Sequence, residues 1–87
     1  MFRLQRLAGP NRTTLRVEGR LAGRDAARLL RLELQHVVWK SHLALDLEEL
    51  TFADELSLLE LRLAVREGAV VHGATRLMSA LLSEGGP

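Results

Sequence analysis

Five carboxylates lie close together near the middle of the chain: Asp46, Glu48, Glu49, Asp54 and Glu55. Two carboxylates can supply a general acid and a general base when a pocket raises the pKa of one of them. In so small a domain we expect them instead to cap a helix or to face water. Asp54 precedes a leucine-rich stretch without glycine or proline, which predicts a helix over 55–66 with Asp54 as its N-cap. Glu55 then lies in the first turn, where the helix dipole favours negative charge.

Other residue types that carry chemistry form no matching pattern. The histidines His36, His42 and His72 lack the HExxH spacing, and the chain has no cysteine, so no metal site is predicted. No glycine-rich loop of the kinds that cradle nucleotide phosphates is present. Ser57 lies outside any G-x-S-x-G motif and has no evident base. We therefore predict no catalytic residue, no metal, no cofactor and no enzymatic activity.

The composition predicts a single cytoplasmic domain over residues 1–87. Hydrophobic residues make up 47% of the chain, enough for an aliphatic core, and the lack of cysteine excludes disulfides. The net charge is +1, with acids and bases interspersed and few aromatic residues, which argues against a nucleic-acid-binding surface. The chain has neither a run of about 18 apolar residues nor a signal-peptide pattern at its N-terminus, so we expect no membrane insertion.

Hydrophobic periodicity predicts four strands and three helices. The first predicted strand begins at Phe2 and ends between Leu4 and Leu7. The other three cover 13–18, 43–47 and 69–72. The predicted helices cover 24–38, 55–66 and 76–82. We expect Leu77 and Leu81 to face inward, with Met78 as a further candidate, and Trp39 to cover the end of the first helix against the sheet.

The element order β-β-α-β-α-β-α predicts an α/β fold in two layers. The first two strands should form an antiparallel hairpin, because a short turn-rich segment joins them. The last three strands should be parallel and joined by right-handed crossovers through the helices. The result is a four-stranded mixed sheet with its helices mainly on one face.

The helix predicted over 55–66 carries two apolar stripes rather than one. The first stripe contains Leu56, Leu59 and Leu63, and the second contains Leu58, Leu61 and Val65. A helix on the surface of a sheet needs only one such stripe. The other stripe should therefore cover either a neighbouring helix or another protein.

Three segments follow one another along the chain: the strand and turn at 15–21 (LRVEGRL), the strand, loop and aspartate at 45–54 (LDLEELTFAD), and the leucine-rich helix that follows. Their order and spacing resemble the STAS domain family. The resemblance covers about 13–82. The family includes bacterial anti-sigma factor antagonists and domains attached to anion transporters.

This resemblance implies a protein-interaction module. Antagonists of this kind bind an anti-sigma factor that is also a kinase, and phosphorylation of a serine directly after the loop aspartate breaks the complex. Here the residue after Asp54 is Glu55, so the usual acceptor serine is missing. Ser57 is a displaced candidate phosphosite, although a serine at that helix position more often makes a local hydrogen bond.

Our leading hypothesis is an antagonist-like module of bacterial signal transduction and transcription regulation. It predicts partner binding through the loop and helix over 54–66, with contacts from Asp54, Glu55, Ser57, Leu58 and Arg62. Of these, Glu55, Leu58 and Arg62 should be exposed. The alternative is a constitutive accessory subunit or scaffold that binds, for example, a transporter ATPase. A third hypothesis is a homodimer that buries the second leucine stripe.

Overall fold

The computed structural model describes residues 1–83 as a mixed sheet covered by three helices. The strands are β1 (Phe2–Ala8), β2 (Thr13–Leu21), β3 (Leu43–Asp46), β4 (Leu50–Ala53) and β5 (Val70–His72). The helices are α1 (Arg24–Gln35), α2 (Glu55–Arg66) and α3 (Arg76–Ser83). Residues 84–87, the end of the predicted domain, lie outside the described residues.

Strand β2 lies at the centre of the sheet. It pairs antiparallel with β1, so the predicted hairpin is confirmed. It pairs parallel with β3, which in turn pairs parallel with β5. The predicted parallel arrangement of these three strands is therefore confirmed as well. The order across the sheet is β1-β2-β3-β5, with β4 beside the second half of β2.

The sheet has five strands where the sequence predicted four. The segment predicted as a loop after β3 forms β4, which pairs parallel with β2 as β3 does. Strand β2 also continues past Gly19 to Leu21, beyond the predicted end at residue 18. Gly19 has a φ of 85°, and its N–H donates to the carbonyl of Glu49 at 2.9 Å. This bond, and a register shift between Gly19 and Arg20, carry the pairing from β3 to β4.

The helices pack on the leucine face of the sheet. The fully buried side chains include Leu15 and Leu21 from β2, Leu45 from β3, Leu30 from α1 and Leu61 from α2. These positions are spaced by multiples of two residues along the strands and lie on the inner side of each helix.

The opposite face of the sheet is polar. There Arg16 of β2 forms an ion pair with Asp46 of β3 at 3.3 Å. The guanidinium of Arg20 lies 4.1 Å from the ring centre of Phe52, a cation–π distance.

Two predictions about the helix ends are wrong. Helix α1 stops at Gln35 rather than at residue 38, so Trp39 lies beyond it in a loop and is 70% exposed instead of covering the helix end. Helix α3 buries Leu82 and half-buries Met78 and Leu81, so Leu81 faces inward as predicted, whereas Leu77 faces outward. None of the helices within residues 1–83 has the length and apolar character needed to cross a membrane.

Candidate functional site

Helices α1 and α2 begin side by side at the carboxyl ends of two neighbouring strands. Strand β2 ends at Leu21 and leads into α1, while β4 ends at Ala53 and leads into α2. The N–H of Asp54 donates to the carbonyl of Leu21 at 2.9 Å, which joins the two strand ends. The carboxyl edge of parallel strands is where α/β folds usually place their binding sites.

Asp54 joins the starts of the two helices through its carboxylate. One oxygen, Oδ1, accepts from the N–H of Ser57 at 3.0 Å, which confirms the predicted N-cap of α2. The other oxygen, Oδ2, accepts from the N–H of Gly23 at 2.7 Å. Gly23 is the N-cap of α1 and offers no side chain of its own for capping. One side chain therefore supplies an acceptor to both helix starts.

These hydrogen bonds change the acidity of Asp54. The backbone N–H groups of Ser57 and then of Gly23 stabilise the carboxylate, and the nearby Ser57 hydroxyl adds a smaller contribution. Together they outweigh the opposing effect of burial, so the pKa of Asp54 lies below its usual value of 3.8. The side chain is therefore ionised at neutral pH.

Ser57, predicted as a contact and as a candidate phosphosite, is fully buried. Its hydroxyl has no hydrogen-bond partner of ordinary geometry among the described residues. It lies in the first turn of α2 on the side that faces the sheet. A kinase cannot reach this hydroxyl while α2 is folded, and a partner cannot contact it.

Leu58, predicted to be exposed, is also buried and retains only 7% of its accessible surface. The cause is the rotation of α2 on the sheet. The stripe that contains Leu58 and Leu61 faces the core, together with the small residue Ala64. The two leucine stripes contain similar residues, so their composition could not show which one is inside. A usable signal was present, because Ser57 and Ala64 lie near Leu61 on the helix wheel and permit close approach to the sheet.

Arg62, also predicted to be exposed, is half-buried. Its Nε donates to the carbonyl of Leu81 at 2.7 Å and so joins α2 to α3. Glu55 is exposed at the start of α2 as predicted. Of the three residues predicted as exposed contacts, Glu55 alone is exposed.

The exposed apolar surface of α2 is the other stripe. Leu56, Leu59 and Leu63 retain 48%, 50% and 44% of their accessible surface. Their spacing of three and four residues places them in one row along two turns of the helix. The row begins directly after Glu55, next to the start of α1.

The side of helix α1 that faces this row carries exposed arginines. Arg24, Arg28 and Arg31 are exposed on the side of α1 that faces α2. Arg31 reaches across to Glu60 of α2, with 3.1 Å between Nε and Oε2. Among residues 1–83, no three histidine, cysteine or acidic side chains are placed to hold a metal ion. The site is thus a protein surface with leucines on one side and arginines on the other.

A solved structure confirms the type of fold. The chain is similar to the structure described as an antisigma-factor antagonist, STAS domain, from Rhodobacter sphaeroides, with a TM-score of 0.56. The two sequences are 20% identical, and the match covers 95% of this chain and 92% of that one. No protein-family model and no curated protein matches the sequence. The chain therefore has a STAS-like α/β fold, as the sequence predicted.

Proposed function

We propose that this chain is a non-enzymatic module that binds a regulatory protein through the start of α2 and its exposed leucine row. The row of Leu56, Leu59 and Leu63 carries the proposal, because it places three exposed leucines along a helix that begins at the carboxyl edge of the sheet. Glu55 lies at the head of the row and supplies a charged contact.

The size of the row fits a specific but modest contribution to binding. Burial of a whole leucine side chain contributes about 1.5–3 kcal/mol, so burial of the exposed half contributes about 1 kcal/mol for each. Three leucines then supply about 3 kcal/mol before the entropy cost of association. This is too little for tight binding on its own, so charged groups around the row must contribute as well.

Direct phosphorylation plays no part in this proposal. Glu55 places a fixed negative charge at the start of α2, and Ser57 is buried. A phosphate at that place would add about −1.5 to −2 charge and could break a contact. Glu55 makes the charge of this surface constant, and any control of binding acts through the partner.

The leading form of the proposal has a kinase-like anti-sigma factor as the partner. The chain then acts in the cytoplasm of a bacterium, in signal transduction that regulates transcription. The second form is a constitutive accessory subunit or scaffold, with a transporter ATPase or an assembly protein as the partner. The fixed charge of Glu55 favours this second form, because a scaffold needs no switch.

The test is a pull-down from lysate of the source organism with mass spectrometry as the readout. The variant is Leu59→Asp, and the control is Leu32→Asp, which changes a leucine of similar exposure on α1. We expect both variants to keep the far-UV circular dichroism of the wild type. We expect Leu59→Asp alone to lose the partner. The proposal fails if both variants keep the partner or if both lose it.

The identity of the captured protein separates the two forms. A kinase-like anti-sigma factor that disappears with Leu59→Asp supports the antagonist form. A transporter ATPase or an assembly subunit supports the scaffold form.

A further inference from the structure

The surface between α1 and α2 forms a continuous groove, called here the α1–α2 groove. Near the helix starts it is a shallow hollow of about 340 Å³ that contains Arg24, Arg28, Leu56 and Leu59. It continues toward the other end of α2 as a wider hollow of about 560 Å³ that includes Leu63 and Lys40. Both hollows share Arg31, Leu59 and Glu60, so they form one channel along the leucine row.

The charge of this groove is uneven. Its lining contains four cations, Arg24, Arg28, Arg31 and Lys40, and two carboxylates, Glu60 and Glu67. Glu60 is largely buried and forms an ion pair with Arg31, so that pair is already complete. Arg24 and Arg28 form no ion pair within residues 1–83. The part of the groove near the helix starts therefore presents two cations, without carboxylate partners, beside the leucine row.

We propose that the α1–α2 groove binds an amphipathic helix of the partner that carries carboxylates along one side of its apolar stripe. The inference rests on the proposed function and names the chemistry of the partner. The leucine row is about 10 Å long, the rise of two helical turns. A helix in a groove uses apolar anchors at i, i+3, i+4 and i+7, which matches this length. The partner's carboxylates then face Arg24 and Arg28.

A second copy of this chain is a poorer match for the groove. Its exposed leucines on α1, Leu29 and Leu32, have Arg28 and Arg31 as sequence neighbours. Its leucine row on α2 has Arg66 near one end and Glu55 at the other. Neither surface brings a row of carboxylates to Arg24 and Arg28, so charge complementarity favours a different, acidic partner.

The probe for the test is a display library of helix-forming peptides of about 16 residues, or roughly four turns. Each peptide carries leucine at i, i+3 and i+7, and the flanking positions vary among Glu, Lys and Gln. We expect the full chain to enrich peptides with Glu on one flank. The double variant Arg24→Glu, Arg28→Glu should enrich peptides with Lys there instead. Both residues are exposed, so the variant should fold, which circular dichroism checks.

The most enriched peptide is then titrated against the wild type, the double arginine variant and Leu59→Asp. Exposed ion pairs contribute about 0.2–1 kcal/mol each, so loss of both arginines should weaken binding by up to about thirtyfold. The effect should shrink in high salt. Leu59→Asp should abolish binding of the peptide.

Three outcomes would overturn the inference. One is an absence of enriched peptides, and another is enrichment without preference for Glu over Lys. The third is a concentration-dependent dimer that Leu59→Asp abolishes, which would assign the groove to a second copy.

The pull-down separates failure of this inference from failure of the proposed function. If the lysate partner is lost with Leu59→Asp but binds the Arg24→Glu, Arg28→Glu variant as it binds the wild type, the interaction module stands. The proposal that the partner contributes an acidic helix is then wrong. If Leu59→Asp keeps the partner, the proposed function itself is wrong.

Discussion

Replacement of Asp54 tests whether one carboxylate stabilises the starts of both helices. Loss of an N-cap costs about 1 kcal/mol, within a range of about 0.5–2. The hydrogen bond from the Gly23 N–H to the carboxylate adds about 1 kcal/mol, a value reduced here because the bond is exposed to water. Asp54→Ala should therefore destabilise the chain by about 2 kcal/mol. For a domain of this size that corresponds to a fall in Tm of roughly 10 °C.

Asp54→Asn divides this effect into its two parts. The asparagine carbonyl can replace Oδ1 as the acceptor for Ser57, because asparagine is as good an N-cap as aspartate. Its amide group cannot accept from Gly23, since an NH₂ group only donates. We expect a loss of about 1 kcal/mol, half the cost of Asp54→Ala. Thermal and urea unfolding, followed by circular dichroism, measure both variants.

The pH dependence of the same variants gives an independent check. The pKa of Asp54 is lower in the folded chain, so its contribution to stability is complete above the unfolded pKa of about 3.8. That contribution is lost as the pH falls through the lower, folded pKa. The stability of the wild type should therefore approach that of Asp54→Asn in strong acid.

Glu55→Gln is the control for Asp54, because it removes the neighbouring carboxylate from the same helix start. Glu55 is exposed, so this variant should lose only about 0.5 kcal/mol of helix-dipole stabilisation. The bridging role of Asp54 is refuted if Asp54→Ala costs no more than Glu55→Gln. It is also refuted if the difference between wild type and Asp54→Asn grows as the pH falls.

Three further predictions test the packing of the chain. Leu58→Ala should cost about 2–4 kcal/mol in urea unfolding because its side chain is buried, whereas Leu59→Ala should cost less than about 0.5 kcal/mol; equal costs would contradict the assigned rotation of α2. Gly19→Ala should destabilise far more than Gly23→Ala, because a Cβ at Gly19 would lie 2.5 Å from a backbone oxygen whereas Gly23 has open space and only a positive φ. Comparable Tm values for these two variants would show that backbone strain alone matters. Ser57→Ala should change stability by less than about 1 kcal/mol, because its buried hydroxyl lacks a well-formed hydrogen bond; a larger loss would reveal a hydrogen bond to that hydroxyl.

The sequence predicts the structure correctly where a residue and its near neighbours in the chain determine it. Asp54 before a leucine-rich stretch predicts the start of α2, and its carboxylate accepts from the Ser57 N–H there. The alternation of Leu43 and Leu45 with Ala44 and Asp46 predicts their strand, because side chains two residues apart lie on one face of a sheet.

The structure differs from the sequence predictions where contacts between distant residues determine the conformation. The short strand β4 exists because Gly19 brings β2 past Glu49, and no local pattern in the segment after β3 signals that pairing. The exposed residues of α2 depend on which of two similar leucine stripes meets the sheet. The bridge from Asp54 to Gly23 joins residues 31 positions apart, so only the folded chain brings them together.

The central position of β2 has a consequence for the way this chain opens. Strands β1, β3 and β4 all form their ladders on β2, whereas β5 pairs only with β3. Backbone amides of β2 should therefore exchange with solvent hydrogen last, since their release requires rupture of the whole sheet. The amides of β5 and α3 can exchange through a smaller opening at the edge. An opening that lifts α3 would break the hydrogen bond from Arg62 to the Leu81 carbonyl and would expose Leu58, which lies beside Leu81.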